Sequence, residues 1–264
     1  MNLKYIILDL TDEHFPTIKL NCPQIHNAFN EEVINELILI LNALKSNTTI
    51  RGVFLTGVGR SFSAGANLAW MQKMVHYSLE ENIEDAKQLA TLMQLLHQFP
   101  LPTIALVNGA AYGGGVGLVA ACDMAFASDN ASFCLSEVKL GLIPAIISPY
   151  VIAAIGERAA HRYYLTAEKF DTQTAKQLGL IHDTYPNNAP ENLIENLKAA
   201  LNQNSPEAMI AAKKLINVTS KRPVDEAMIE DTILRIAKIR ISDFGQEGLT
   251  AFLEKRKARW VIEG

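Results

Sequence analysis

The chain has 264 residues, 49% of them hydrophobic and 20% charged, and a formal net charge of -4. That length supports one large domain, or one domain with an appendage, and the composition is that of a folded chain rather than a low-complexity one. The acid excess argues against a nucleic-acid partner, three cysteines without CxxC spacing argue against a disulfide framework or a zinc site, and no apolar run reaches the 18 or so residues of a membrane span.

The opening MNLKYIILDLTDE carries one lysine before a short alternating run that soon meets acids. This is not the pattern of a signal peptide, so a cytoplasmic location is expected. Tyr5 to Leu10 and Thr17 to Leu20, separated by His14, Phe15 and Pro16, read as a hairpin. Asn30 is an N-cap candidate for a helix running to about Ser46, with Glu31 and Glu32 in its first turn. Gly52 to Thr56 reads as a buried strand entering the loop GVGRSFSAGANL. Ser78 and Glu81 form a capping box for a second helix, whose Leu89, Leu92, Met93 and Leu96 share one face.

Thr103 to Val107 is a strand, followed by the loop NGAAYGGGVG and a short helix to about Cys122. Met124 to Ala127 and Ser132 to Leu135 are again strand-like, so this half has an α/β order. Beyond Pro149 helices dominate, at Pro149 to Ile155, Glu157 to Thr166, Thr172 to Leu178 and Glu191 to Leu201. Ser205 with Pro206 and Glu207 starts a further set, over 207 to 218, 223 to 241 and 245 to 258. Residues 1–204 are therefore expected as the core and 205–264 as a helical, oligomer-forming region.

Two loops of small residues follow strands: Ser61 to Asn67, and Asn108 to Gly117. Such loops can present backbone N–H groups to a ligand, and two amides converging on a carbonyl oxygen make an oxyanion hole. Tight packing of strand against helix would favour the same residues. Gly115, Gly117 and Ala120 match a relaxed dinucleotide pattern, with Glu137 twenty residues after Gly117, but the preceding strand ends too early, near Val107, for that fingerprint. Glu137 itself lies just after a strand among Phe133, Leu135, Val138 and Leu140. Apolar surroundings would raise its pKa and suit it to both taking and giving a proton. Asp123 reads as a structural residue that satisfies backbone donors, and His76 and Tyr77 as surface or packing residues.

SFSAGANL, VNGAAYGGGVGLVAACD and FCLSEVKLGLIP, in this order, resemble the crotonase family of enoyl-CoA hydratases and isomerases, and the likeness runs from NCPQIHNAF to EGLTAFLEKRKARW. The resemblance implies a spiral of strand, strand and helix turns with a C-terminal helical region that builds trimers or hexamers. It also implies an acyl-CoA thioester as substrate, with CoA part of that substrate and no separate cofactor or metal. By this likeness the Ala64 and Gly114 amides form the oxyanion hole and Glu137 is the acid/base. Ala66 and Leu68 flank the adenine and pantetheine path, and Phe252 and Lys255 reach the CoA of a neighbouring subunit.

Hydratases of this family that use two carboxylates carry the first near the start of the helix after GGG; Gly117 occupies that place here. One glutamate suits a proton shuttle, as in an enoyl-CoA isomerase. Yet SFSAGANLAWMQKMV and FCLSEVKLGLIPAIISPYV resemble a bacterial branch of methylglutaconyl-CoA and carboxygeranoyl-CoA hydratases, for whose substrates Gly117 would free volume and remove a repelling charge. The expectation is a hydratase, with an isomerase and a non-catalytic acyl-CoA-binding homologue as alternatives.

Overall fold

Short runs rich in β-branched and aromatic residues build the strands. In the computed structural model, which describes residues 3–186, 189–220 and 222–262, the expected hairpin forms from β1 (Ile6–Asp9) and β2 (Thr17–Leu20), with Ile6 opposite Leu20. Asn30 caps α1 (Glu31–Lys45), its side chain accepting from the Val33 N–H at 2.8 Å. Val33, Ile34, Leu37, Ile40, Leu41 and Leu44 form the buried stripe of α1, the period expected of a helix with one face on the core.

A repeat follows. Its first turn is β3 (Val53–Gly57), β4 (Ser61–Ser63), α2 (Leu68–Met74) and α3 (Leu79–His97), with the Ser78–Glu81 capping box in place. The second is β5 (Thr103–Val107), β6 (Ala110–Tyr112) and α4 (Gly114–Ala121). The third is β7 (Met124–Ser128), β8 (Ser132–Cys134) and α5 (Ser148–Thr166), whose helical geometry breaks at Gly156. Then come β9 (Phe170–Asp171), α6 (Thr172–Leu178) and β10 (Asp183–Tyr185). Each turn adds one strand to each of two sheets, ordered β1-β2-β3-β5-β7-β10 and β4-β6-β8-β9. That is the strand, strand, helix spiral.

Four strands and a helix lie where a loop or helices alone are expected. β4, β6, β9 and β10 have two or three residues each, too few for a period of two to show. They exist because neighbouring turns of the spiral supply their pairing partners. α2 is set by Asn67, whose side chain caps the Ala69 and Trp70 amides. Ile18, Val53 and Leu55 of the sheet meet Leu37 and Leu41 of α1, Leu92 and Leu96 of α3 and Leu118 of α4 in one interior. Burial of each such side chain contributes about 1.5–3 kcal/mol.

The chain divides into two compact units, Met1–Phe99 with Thr103–Asn192, and Pro100–Pro102 with Leu193–Gly264. The second holds α7 (Glu191–Asn202) from Leu193 onward, α8 (Pro206–Thr219), α9 (Glu226–Arg240) and α10 (Asp243–Leu253), with Ser205, Asp225 and Ser242 as N-caps of the last three. α10 stops short of residue 258 because Lys255 turns the backbone at φ 55°. Arg256 then folds back in a bidentate pair with Glu247, at 2.8 and 3.0 Å. Among the described residues no helix is long and apolar enough to cross a membrane.

Candidate active site

β4, β6 and β8 are parallel neighbours, so the segments that leave their C-terminal ends emerge side by side. The Gly113 N–H donates to the Cys134 carbonyl at 2.9 Å, joining the glycine run to the strand before Glu137. A Cβ on Gly65 would lie 3.2 Å from the Tyr112 carbonyl oxygen and 3.9 Å from the Gly113 Cα, and one on Gly113 would lie 3.1 Å from Glu137 Oε1. Gly113 also takes φ 51°, a backbone state that side chains disfavour. The two small-residue loops and Glu137, which is 73 positions after Ala64, are thus one cluster in space.

The oxyanion donor expected at Ala64 requires correction. Its N–H donates to the His26 carbonyl at 2.9 Å and is not free for a substrate. The chain around it is fastened on both sides: Phe29 N–H donates to the Gly65 carbonyl and Asn67 N–H to the Phe29 carbonyl, both at 2.7 Å. This bridge pairs Phe29 with Ala66 and leaves the Ala66 amide, two residues after Ala64, pointing away from it with no hydrogen bond among the described residues. Ala66 is exposed, as is Leu68 at the start of α2. Gly114 is the first residue of α4, where a helical N–H has no partner within the helix and faces the positive end of the helix dipole.

The bareness of GGGVG has causes inside the protein as well as any outside it. A Cβ on Gly114 would come 2.8 Å from the Phe29 ring, and one on Gly115 would come 2.6 Å from the Ser63 carbonyl oxygen. Gly117 corrects a second expectation, that its missing side chain leaves room for an acyl group. A Cβ there would sit 2.8 Å from Ile147 Cβ, nearer still to Ile147 Cγ2, and 3.3 Å from Met93 Cε. Ile147, 3% exposed, fills that space.

Glu137 opens a 3₁₀ turn, Glu137–Leu140, ended by Gly141. Its Oε2 is buried without a hydrogen-bond partner. Burial raises its pKa above the ordinary carboxylate range, as expected from its neighbours. Asp123 accepts from both the N–H and the hydroxyl of Thr103, at 2.8 and 2.9 Å, which makes it a structural clamp between β5 and β7. Tyr77 donates to Glu31 at 2.9 Å, and His76 is exposed. The Cys22 and Cys134 thiols are buried, and burial pushes both pKa values up.

Asn27, within NCPQIHNAF, carries no sequence pattern that marks a role. Asn27 is buried, at φ 54°, and its amide accepts from Cys22 N–H and donates to the Val58 and Ser61 carbonyls. It positions β4 and hence the Ala64–Asn67 segment.

The enoyl-CoA hydratase/isomerase family model matches residues 12–262. The chain belongs to that family. Its backbone superimposes on an enoyl-CoA hydratase from Shewanella pealeana with a TM-score of 0.93 at 46% identity, over 98% of this chain and 97% of that one. Among curated relatives it is 30% identical to the mitochondrial Delta(3,5)-Delta(2,4)-dienoyl-CoA isomerase of Dictyostelium discoideum, over 96% of this chain and 90% of the relative. It is 31% identical to the 2,3-dehydroadipyl-CoA hydratase of Escherichia coli, over 90% and 92%. As a member of the family the chain is an enzyme of α/β class with the spiral core described above. Phe252, 82% exposed, and Lys255 belong to the second unit, at the end of α10.

Proposed function

We propose that this enzyme adds water across the double bond of an α,β-unsaturated acyl-CoA, with Glu137 moving the protons and the Ala66 and Gly114 amides holding the thioester oxygen. The observation that carries this reading is the Glu137 carboxyl, with Oε2 buried and unpartnered and Oε1 against the glycine run. Ala66 replaces Ala64 because its N–H is free. In this scheme the amides polarise the carbonyl and stabilise the enolate, each donor lowering the barrier by about 2.7–4 kcal/mol. The water oxygen bonds to the β-carbon, its proton passes to Glu137, and the same carboxyl delivers a proton to the α-carbon.

The proposed substrate is 3-methylglutaconyl-CoA, whose acyl chain carries a second carboxylate. Position 117 holds no acid to repel that charge. Similarity to a relative named for 2,3-dehydroadipyl-CoA, also a dicarboxylic acyl thioester, supports the same class. Leu68 is proposed to flank the CoA path, and Phe252 and Lys255 to reach the CoA of a neighbouring subunit in a cytoplasmic homotrimer or homohexamer.

A single-glutamate isomerase is the second reading, favoured by the packing of Ile147 where another carboxylate would have to stand. Assay of the purified enzyme on 3-methylglutaconyl-CoA, crotonyl-CoA and a 3-enoyl-CoA separates them. Hydration of the first is expected; turnover of the 3-enoyl thioester alone overturns the hydratase.

A further inference from the structure

The segment that carries the Ala66 amide runs straight into α2, and α2 has little of its own to hold it in place. Of its seven residues, Leu68–Met74, it buries Trp70. A helix of that length is marginal by itself, so its position follows from what it is tied to. The Trp70 indole, 5% exposed, donates its Nε1–H to Asp85 Oδ1 on α3 at 3.0 Å. At the far end of α2 the Tyr77 hydroxyl donates to Glu31 of α1 at 2.9 Å, and Lys73 pairs with the same carboxylate at 3.5 Å. Side chains of α1 and α3 share the interior of the first unit, so α2 is fastened to two core helices.

Between the indole and Ala66 the chain is stiff. The Asn67 side chain accepts from the Ala69 and Trp70 amides at 2.7 and 3.4 Å, and the Asn67 carbonyl accepts from Met71 at 2.9 Å. The Phe29 bridge holds the peptide groups on either side of Ala66; α2 sets the direction in which the chain leaves them, and so the tilt of the Ala66 N–H. Burial raises the Asp85 carboxyl above its ordinary range, the indole hydrogen bond opposes that rise, and the Glu31 charge adds to it. A carboxyl placed where burial penalises its charge adds little to stability by itself; what it supplies is a fixed direction for the indole.

We propose that Asp85, acting through the Trp70 indole, is the positioning residue that aims the Ala66 N–H at the thioester oxygen. This rests on the reading of Ala66 as an oxyanion donor, and it holds for hydration and isomerisation alike. Neither Asp85 nor Trp70 touches the substrate or exchanges a proton. Their effect is geometric: an oxyanion donor acts only within hydrogen-bond reach of the developing charge, and a misplacement of about 1 Å costs on the order of 10²-fold in rate.

Three variants and one chromophore test the assignment. Trp70→Phe keeps a buried ring and removes the N–H, Asp85→Ala removes the acceptor, and Asp85→Asn keeps an acceptor oxygen without the charge. The chromophore is para-dimethylaminocinnamoyl-CoA, whose absorption moves to longer wavelength as its carbonyl is polarised. At saturating probe, Trp70→Phe and Asp85→Ala should each lose about half or more of the red shift seen with the parent enzyme. On the thioester that the parent turns over, kcat should fall about 10–100-fold with KM within about threefold. The double variant should fall no further than either single one, and Asp85→Asn should recover most of what Asp85→Ala loses. Should Asp85→Ala fail to fold, Trp70→Phe gives the same readout. A role confined to folding would lower Tm and the amount of probe bound while leaving the shift per bound probe at the parent value. That result overturns the proposal, as does Asp85→Asn no better than Asp85→Ala. If the parent enzyme itself gives no red shift at saturation, the oxyanion reading of Ala66 has failed, a result visible without the variants.

Discussion

Burial of the Glu137 carboxyl penalises its ionised form, and this has consequences for both activity and stability. As a base it must be ionised, so kcat/KM should fall with pH along an acid limb that lies above the ordinary carboxylate range, measurable in a pH–rate profile. For stability the sign is opposite to that of a salt-bridged acid. Between its unfolded pKa and its raised folded pKa, the folded state binds more protons than the unfolded state, so stability declines as pH rises through that window. Glu137→Gln should therefore lower turnover by about 10²–10⁴-fold and at the same time raise Tm at pH 7. A variant with unchanged turnover would remove Glu137 from the mechanism. One with lowered Tm would show that the charge is held by partners after all.

At the scale of elements, α4 is apolar on every side and buried from Gly115 through Val119, so its start is fixed by what it touches. Gly117→Glu should not install a working second carboxylate. The new side chain would have to displace Ile147 and Met93, and overpacking of this kind costs about 1–3 kcal/mol before any buried charge is counted. Denaturant unfolding should show that loss, and Ile147→Ala in the same chain should recover part of it, a non-additivity expected of side chains in contact. Asn27 acts on β4 in the same way from the other side. Asn27→Ala removes three hydrogen bonds from a buried loop, taking from the Cys22 N–H and the Val58 carbonyl this partner and leaving the Ser61 carbonyl only the longer bond from Asn108. A stability loss of about 2–4 kcal/mol is expected in denaturant unfolding, with a larger fall in kcat than in thioester binding if the Ala66 amide loses its place.

At the scale of the whole molecule, the second unit exposes large apolar side chains: Ile233 at 60%, Ile241 and Leu253 at 78%, and Phe252 at 82%. Exposed apolar surface of this kind is usually covered by association. Light scattering should give three or six times the chain mass, and Ile233→Glu should shift the distribution to smaller species. A stable monomer would overturn the proposed roles of Phe252 and Lys255 toward a neighbouring CoA.

The sequence by itself determined the longer helices and strands, because Asn30, Ser78 and Ser205 are caps whose hydrogen bonds lie within four residues, and because the buried stripe of α1 repeats with the helical period. It also determined the family and singled out Glu137, since SFSAGANL, GGGVG and LSEVKLGLIP are contiguous motifs. Tertiary structure decided what depends on residues far apart in the chain. β4 and β6 are strands because they pair with each other, although neither exceeds three residues. The Ala64 amide is consumed by His26, 38 positions earlier, so the free donor is Ala66. Ile147, 30 positions later in the chain, fills the space beside Gly117. A local pattern records which backbone groups a residue can satisfy nearby; only the packed spiral fixes which distant atom takes the donor or the space that remains.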